Sequence, residues 1–287
     1  MSSAEPLTLL YRGPLKSCNY GCDYCPFAKQ TAAAAELEED RRALERLVGW
    51  VSARGRGTSV LFTPWGEALI HPHYQQALAT LSGLSHVGRV AIQTNLSAPL
   101  RWLDACQPER LGIWATYHPG HASRPRFLES CLELHRRGVS FSVGVVGLRE
   151  HLDPIEALRR ELPPEVYLWV NAFKRGGPGY YRPGELERLR AVDPLVDLNL
   201  RPQPSRGRAC RAGHTVVAVA GDGAVRRCPF TDEAQGSLDG GITLHASPQP
   251  CPEAECRCHL GYVHLVHLGL HERFGAGLLE RALPRSV

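Results

Sequence analysis

Leu7 to Pro26 reads LTLLYRGPLKSCNYGCDYCP, a β-prone run followed at once by a loop carrying Cys18, Cys22 and Cys25. The apolar residues of Leu7–Tyr11 predict a strand. The C-x3-C-x2-C spacing, with Tyr24 directly before the last cysteine, sets three thiols on the loop that leaves that strand. A cubane [4Fe–4S] cluster has four irons and takes thiolate ligands. Three thiols on one loop can hold three irons, and the next cysteine in sequence is Cys106. The fourth iron is therefore open to a ligand that is not protein. The competing reading is a zinc site, whose tetrahedral shell His118 or His121 would complete.

Working outward, short apolar runs alternate with amphipathic stretches as far as about Pro204. Strands are expected at Leu7–Tyr11, Ser59–Thr63, Val87–Gln93, Leu111–Tyr117, Phe141–Val146 and Val166–Val170, each rich in β-branched or aromatic residues. Helices are expected at Glu36–Val51, Pro72–Leu84, Pro99–Cys106, Arg126–Arg137, Pro154–Leu162 and Pro183–Val192; four of these open on proline, which suits a first helical turn. Strand–helix alternation predicts a parallel sheet with right-handed crossovers. Six repeats fall short of the eight of a closed barrel, so the fold class is α/β, a partial (β/α)6 TIM-like barrel. In such barrels chemistry sits at the C-terminal ends of the strands, which is where the cysteine loop falls.

Past Arg201 helical periodicity is lost and Pro and Gly become dense. Thr215–Ala220 and Ala224–Arg227 flank Gly221-Asp222-Gly223, a hairpin signal. The division expected is a barrel over 1–204 and a small cysteine-rich unit over 205–287, with a hairpin and a C-terminal helix.

Composition narrows the function classes. The chain has 287 residues, 43% of them hydrophobic and 22% charged, as in ordinary globular proteins. A formal charge of +4 without a dense basic block argues against a nucleic-acid footprint. No run of apolar residues is long enough to span a membrane. The first residues lack the features of an export signal, so ten cysteines point to metal or iron–sulfur ligation in a reducing cytoplasm.

Several segments just past the expected strands then fall into one pattern. Thr63-Pro64-Trp65-Gly66-Glu67 follows the second strand, Gln93-Thr94-Asn95-Leu96 ends the third, and Val143–Glu150 spans the fifth. With the cysteine triplet, these resemble the radical S-adenosylmethionine (SAM) superfamily. Gly66 and Glu67 match its Gly-Gly-Glu segment, with Trp65 in place of the first glycine. Gln93-Thr94-Asn95 is similar to its Thr-Asn-Gly segment, with Leu96 in place of glycine. Val145, Gly147 and Glu150 match the adenine-approaching segment, with Val143 in place of its first glycine.

The resemblance implies a SAM-binding [4Fe–4S] cluster on Cys18, Cys22 and Cys25, reductive cleavage of SAM to a 5′-deoxyadenosyl radical, and hydrogen abstraction from a substrate. It implies that Gly66 and Glu67 meet the SAM amino group, that Tyr24 packs on the adenine and that Val146 approaches it. Asn95 and Thr116 would bond the ribose, and Arg126, or else Arg124, would pair with the SAM carboxylate. An electron donor of the flavodoxin or ferredoxin type is implied as well.

Cys210 and Cys228 flank the hairpin as C-x12-G-x4-C, and Cys251, Cys256 and Cys258 follow. This resembles the twitch and SPASM extensions of the superfamily, which carry auxiliary [4Fe–4S] clusters. Five cysteines suffice for one four-thiolate cluster with one spare, so the shorter, twitch-like type fits. Neighbours in a C-x-C pair point to opposite sides of an extended backbone. The ligands are then Cys210, Cys228 and Cys251 with one of Cys256 and Cys258. Thiolate spacing does not choose the metal, and a structural zinc ribbon stays open here.

Cys106 and Cys131 fall in helical patterns and are expected to be buried and inert. His264, His267 and His271 would share one helical face. His118 after the fourth strand, and Asn171 and Lys174 after the sixth, are candidates for substrate contact or catalysis, His118 as acid or base. Family members with such an extension modify ribosomally made peptides, oxidise alcohols or act in cofactor synthesis. Because the first strand begins by Leu7, the expected substrate is a small molecule, or a peptide delivered by a separate protein. A tRNA-modifying enzyme and a non-catalytic zinc or iron–sulfur module are the alternatives.

Overall fold

The computed structural model describes residues 6–27 and 30–284. Six parallel strands lie side by side in chain order: β1 (Leu7–Arg12), β2 (Thr58–Phe62), β3 (Val87–Thr94), β4 (Leu111–Tyr117), β5 (Ser140–Gly147) and β6 (Leu168–Ala172). The chain crosses over through α1 (Ala34–Arg54), α2 (Pro72–Gly83), α3 (Arg124–Arg136) and α4 (Leu152–Glu161). After β6 come α5 (Pro183–Val192) and α6 (Val196–Leu200). This is a partial α/β barrel. Among the described residues no helix is long and apolar enough to cross a membrane.

Side-chain alternation along each strand divides the interior in two. Leu9, Val60, Ile92, Ile113, Val143 and Leu168 pack outward under the helices. Leu10, Leu61, Ala91, Trp114 and Trp169 pack on the concave face. Two residues nearer the mouth, the same alternation puts Arg12, Gln93, Thr116 and Asn171 on that concave side.

The remaining strands are β7 (Gln203–Pro204), β8 (Ala209–Cys210), β9 (Val216–Ala220), β10 (Ala224–Arg226), β11 (Ala234–Ser237), β12 (Gly241–Ile242), β13 (Gln249–Pro250) and β14 (Glu255–Cys256). The expected hairpin is β9–β10, antiparallel. Yet β9 also pairs in parallel with β1, Thr8 beside Val216 through Arg12 beside Ala220. The hairpin thus extends the barrel's own sheet to ten strands.

Three local expectations change. The sixth strand starts at Leu168, because the Val166 amide is used in a turn to the Pro163 carbonyl. Pro99–Cys106 contains a 3-10 helix, Leu100–Ala105, rather than an α-helix. In place of one C-terminal helix there are α7 (His259–Tyr262), a 3-10 turn and α8 (Leu270–Phe274), separated by Gly269 at a left-handed φ of 60°. His264 and His271 still meet, ring nitrogens 2.9 Å apart.

Beyond α8 the chain enters the barrel at the end opposite the cysteine loop. Glu280 is fully buried, accepts from Ser140 Oγ and faces Arg89 at 3.6 Å. Arg281 lies over the Trp169 ring at 4.5 Å and near Trp114 at 5.9 Å. Its φ of 55° is a left-handed conformation that costs a non-glycine residue about 1–2 kcal/mol. The Trp169 indole donates to Ser142 Oγ and covers Gly144, where a Cβ would come within 1.9 Å of the ring. Gly144→Ala is therefore expected to destabilise the fold by about 1–3 kcal/mol, as overpacking does, read from the urea midpoint. An unchanged midpoint would mean that the indole yields freely.

Candidate functional site

The loop from Gly13 to Pro26 leaves β1 at the strands' C-terminal mouth and is tied down along its first half. At its start, the fully buried Asp40 of α1 accepts from the Leu15 amide, from the Tyr74 hydroxyl and from His73 Nε2. Further on, the Glu67 amide donates to the Ser17 carbonyl and Asn95 Nδ2 donates to Asn19 Oδ1. The thiols of Cys18, Cys22 and Cys25 sit close enough that each of Cys18 and Cys22 has its pKa raised by Cys25, on top of burial. Among the described residues no three His, Cys, Asp or Glu side chains form a single-ion metal site.

Gly66 is needed where it stands. A Cβ there would lie 1.7 Å from the Ser17 carbonyl oxygen, so only glycine lets the β2 loop seat against the cysteine loop. Gly66→Ala is expected to push that loop away and to lower bound iron and SAM affinity by at least tenfold, measured anaerobically. Retained iron with normal SAM affinity would refute that close fit.

Glu67 is buried and its carboxylate accepts from Thr94 Oγ1, the Leu69 amide and the Asn95 amide. Burial pushes its pKa up to about 7 against those three donors. The carboxylate braces β2 against β3, leaving backbone to face the loop. Asn95 is similarly committed, to Asn19, Glu67 and the Ser97 amide. Leu96 takes a φ of 57°, the conformation for which the related pattern has glycine.

His118 hydrogen-bonds the Tyr24 hydroxyl at 3.0 Å, touches Cys22 Sγ at 3.5 Å and stacks on the Tyr24 ring. Burial, helped by His121 and His151, pulls its pKa down to about 4. The ring is a neutral brace for Tyr24, with His151 edge-on to the other partner at 5.5 Å. Arg124 pairs with Glu161 at 3.1 Å. Arg126 instead lines a cleft of about 480 Å³ beside the cysteine loop, with Tyr20, Asn95, His121 and Ser123. Thr116, Val146 and Asn171 fall on the concave side near the mouth by strand alternation. Lys174 donates to Asn199 Oδ1 at 2.6 Å, and burial lowers its pKa.

The second cysteine group is assembled by two short ladders. β8 pairs with β13 and β7 with β14, which brings Cys210, Cys251 and Cys256 onto adjoining segments. The buried Arg227 ties them, donating to the carbonyls of Ala212, Gln249 and Pro250. Cys228 feels Cys210 and Cys251, and Cys256 feels Cys228 and Cys251; with burial this drives both thiols to about 12. The donor chemistry of these thiols suits a metal, whose coordination deprotonates thiols outright. A Cβ on Gly261 would come within 2.5 Å of Cys256 Sγ, so glycine leaves that sulfur its cradle. Cys256 also feels Cys258, whose own thiol feels the cations Arg12, Lys174 and Arg281.

Sequence reasoning passed over Asp40, Arg227, Arg12 and Arg281. Arg12 was detectable, because on a strand it shares the concave face with Leu10. It donates to the Thr63 carbonyl and lies 4.3 Å over the Trp65 ring. The tryptophan that replaces a glycine of the related pattern is thus a platform for an arginine.

No family model and no curated protein matches the sequence. Among solved structures, native anSMEcpe with bound AdoMet is similar over 81% of this chain and 78% of that one, at 14% identity and a TM-score of 0.53. Its complex with AdoMet and Cp18Cys peptide is similar over 81% and 77%, at 16% identity and a TM-score of 0.53. SuiB of Streptococcus suis is similar over 83% of this chain and 64% of that one, at 15% identity and a TM-score of 0.50. These neighbours are radical SAM enzymes, and the chain has the radical SAM fold.

Proposed function

We propose that this chain is a radical SAM enzyme whose second cysteine group holds an auxiliary [4Fe–4S] cluster and whose substrate is a small molecule or a peptide. The observation that carries the reading is the cysteine loop itself. Three thiols lie on one loop at the strands' mouth, Cys25 close enough to act on both Cys18 and Cys22, and Gly66 meets that loop at backbone distance. The donor set suits a cubane with one open iron. When bound, that cluster and SAM supply an electron and a carbon-centred radical that removes hydrogen from substrate.

The residues of this chain place and shield. The Gly66 backbone faces the SAM amino group, and Arg126 offers a guanidinium fork to its carboxylate. Tyr24, held flat by His118, packs on the adenine, and Thr116 and Val146 border ribose and base. Asn171 and Lys174 meet the substrate from β6. Cys210, Cys228, Cys251 and Cys256 hold the auxiliary cluster, Cys258 being the spare. An electron donor of flavodoxin or ferredoxin type docks from outside. A peptide substrate is supported by the neighbour anSMEcpe, which binds one in its solved complex.

The direct experiment is anaerobic reconstitution followed by chemical reduction in the presence of SAM. Formation of 5′-deoxyadenosine by the reduced protein is expected. Zinc without acid-labile sulfide, and no cleavage of SAM, would overturn the reading.

A further inference from the structure

Polar hydrogens lie within reach of the sulfurs of the cysteine loop. One comes from backbone: the Tyr20 amide donates to Cys18 Sγ at 3.4 Å. Another contact involves a side chain. His118, directly after β4, places its Nδ1 at 3.5 Å from Cys22 Sγ and 3.0 Å from the Tyr24 hydroxyl.

The His118 ring has little freedom. Its stack on Tyr24 is nearly parallel, with 9° between the planes at 6.0 Å, and the Tyr20 ring stands edge-on at 5.8 Å. The His118 carbonyl accepts from the His121 and Ala122 amides, which pins the turn that carries the ring. The direction in which Nδ1 meets the sulfur is therefore set by the protein itself.

What this contact does depends on where the protons sit. A free Cys22 thiol can donate to a bare Nδ1. A metal-bound cysteine sulfur is a thiolate, with no hydrogen to give. A bare Nδ1 would then set its lone pair against negative charge. With the ring proton on Nδ1, the sulfur and the tyrosine oxygen both become acceptors, and repulsion turns into attraction. Hydrogen bonds to the sulfurs help to set the potential of an iron–sulfur cluster, because a donor stabilises the added negative charge of the reduced state.

We propose that His118 donates from Nδ1 to the sulfur of Cys22 and so makes the SAM-binding cluster easier to reduce. His118 gains this role only on the enzymatic reading above, which the assignment deepens. The three cysteines fix where the cluster sits; His118 lessens the driving force that an electron donor must supply. The Tyr24 hydroxyl, which also lies near the Cys22 sulfur, is the rival donor.

The test is an anaerobic redox titration of the reconstituted protein without SAM. It follows the EPR signal of the reduced cluster that, in a parallel sample, changes when SAM is added. That response picks out the open-iron cluster in a protein with a second one. His118→Phe keeps a ring on Tyr24 and removes the donor. At a fixed potential it should lower the ratio of reduced to oxidised cluster tenfold, a downward midpoint shift of about 59 mV for one electron. His118→Asn, whose amide offers an N–H near the place of Nδ1, should recover most of that. Tyr24→Phe should lower the midpoint far less. An unchanged or raised midpoint in His118→Phe would overturn the inference, as would an equal fall in His118→Asn. An equal fall in Tyr24→Phe would also overturn it, by making the hydroxyl the donor.

A second measurement needs no variant and stands even if His118→Phe loses its iron. With histidine labelled in heavy nitrogen, pulsed EPR of the reduced, unsubstituted protein should show a coupling to a histidine nitrogen; its absence would overturn the inference. If no cluster signal responds to SAM in the unsubstituted protein, the enzymatic reading falls and the role of His118 with it. A SAM-responsive cluster whose midpoint ignores His118 would leave that reading standing and remove this role alone.

Discussion

Replacing Cys18, Cys22 and Cys25 together with alanine is expected to lower bound iron from about eight to about four per chain and to abolish reductive cleavage of SAM. All three thiols come from one loop, and the loop's anchors lie outside the substituted positions. Asp40 holds its start, the Glu67 amide holds Ser17, and Asn95 holds Asn19. The barrel should therefore fold with the loop in place and its sulfurs gone. The second cysteine group draws on segments after Gln203 and keeps its metal. Iron and acid-labile sulfide assays, with chromatography of 5′-deoxyadenosine, check both halves. Loss of all the iron would mean that one centre alone is present, on the N-terminal loop.

Cys256→Ala and Cys258→Ala should separate sharply, although the two residues are nearly adjacent. Cys256 sits with Cys228 and Cys251, against the space that Gly261 leaves open. Its removal takes one of four thiolates from a buried centre, and about half of the iron should be lost. Cys258 feels the cations Arg12, Lys174 and Arg281 but neither Cys228 nor Cys251, so its removal is expected to leave the iron content unchanged. The reverse outcome, iron lost with Cys258→Ala and kept with Cys256→Ala, would exchange the two assignments.

The barrel was legible because each of its strands carries its own evidence. Runs such as Leu111–Tyr117 are β-prone over their whole length, and the helices between them open on proline or close on glycine, as α1 does at Gly55. The cysteine loop was legible because its spacing is local. What escaped were features created by distance in the sequence. Arg281 acquires its place only when the chain's last part enters the barrel and meets Trp114 and Trp169. Arg227 matters because three remote carbonyls converge on it. The three histidines near the C-terminus suggested one helix by spacing alone, and Gly269 breaks it. The internal donors of the Glu67 carboxylate, the Leu69 and Asn95 amides and Thr94 Oγ1, come from the chain that follows β2 and from the end of β3. No periodicity in the sequence distinguishes a carboxylate that binds from one that braces.

The parallel ladder between β1 and β9 has a mechanical result. Five consecutive residue pairs, from Thr8 with Val216 to Arg12 with Ala220, lock the strand that launches the first cysteine loop to the strand that follows Cys210. Hydrogen-bonded strands in one sheet keep a spacing of about 4.8 Å, so the strand ends that lead to the two cysteine groups are held side by side. The proposed centres would then keep a fixed separation.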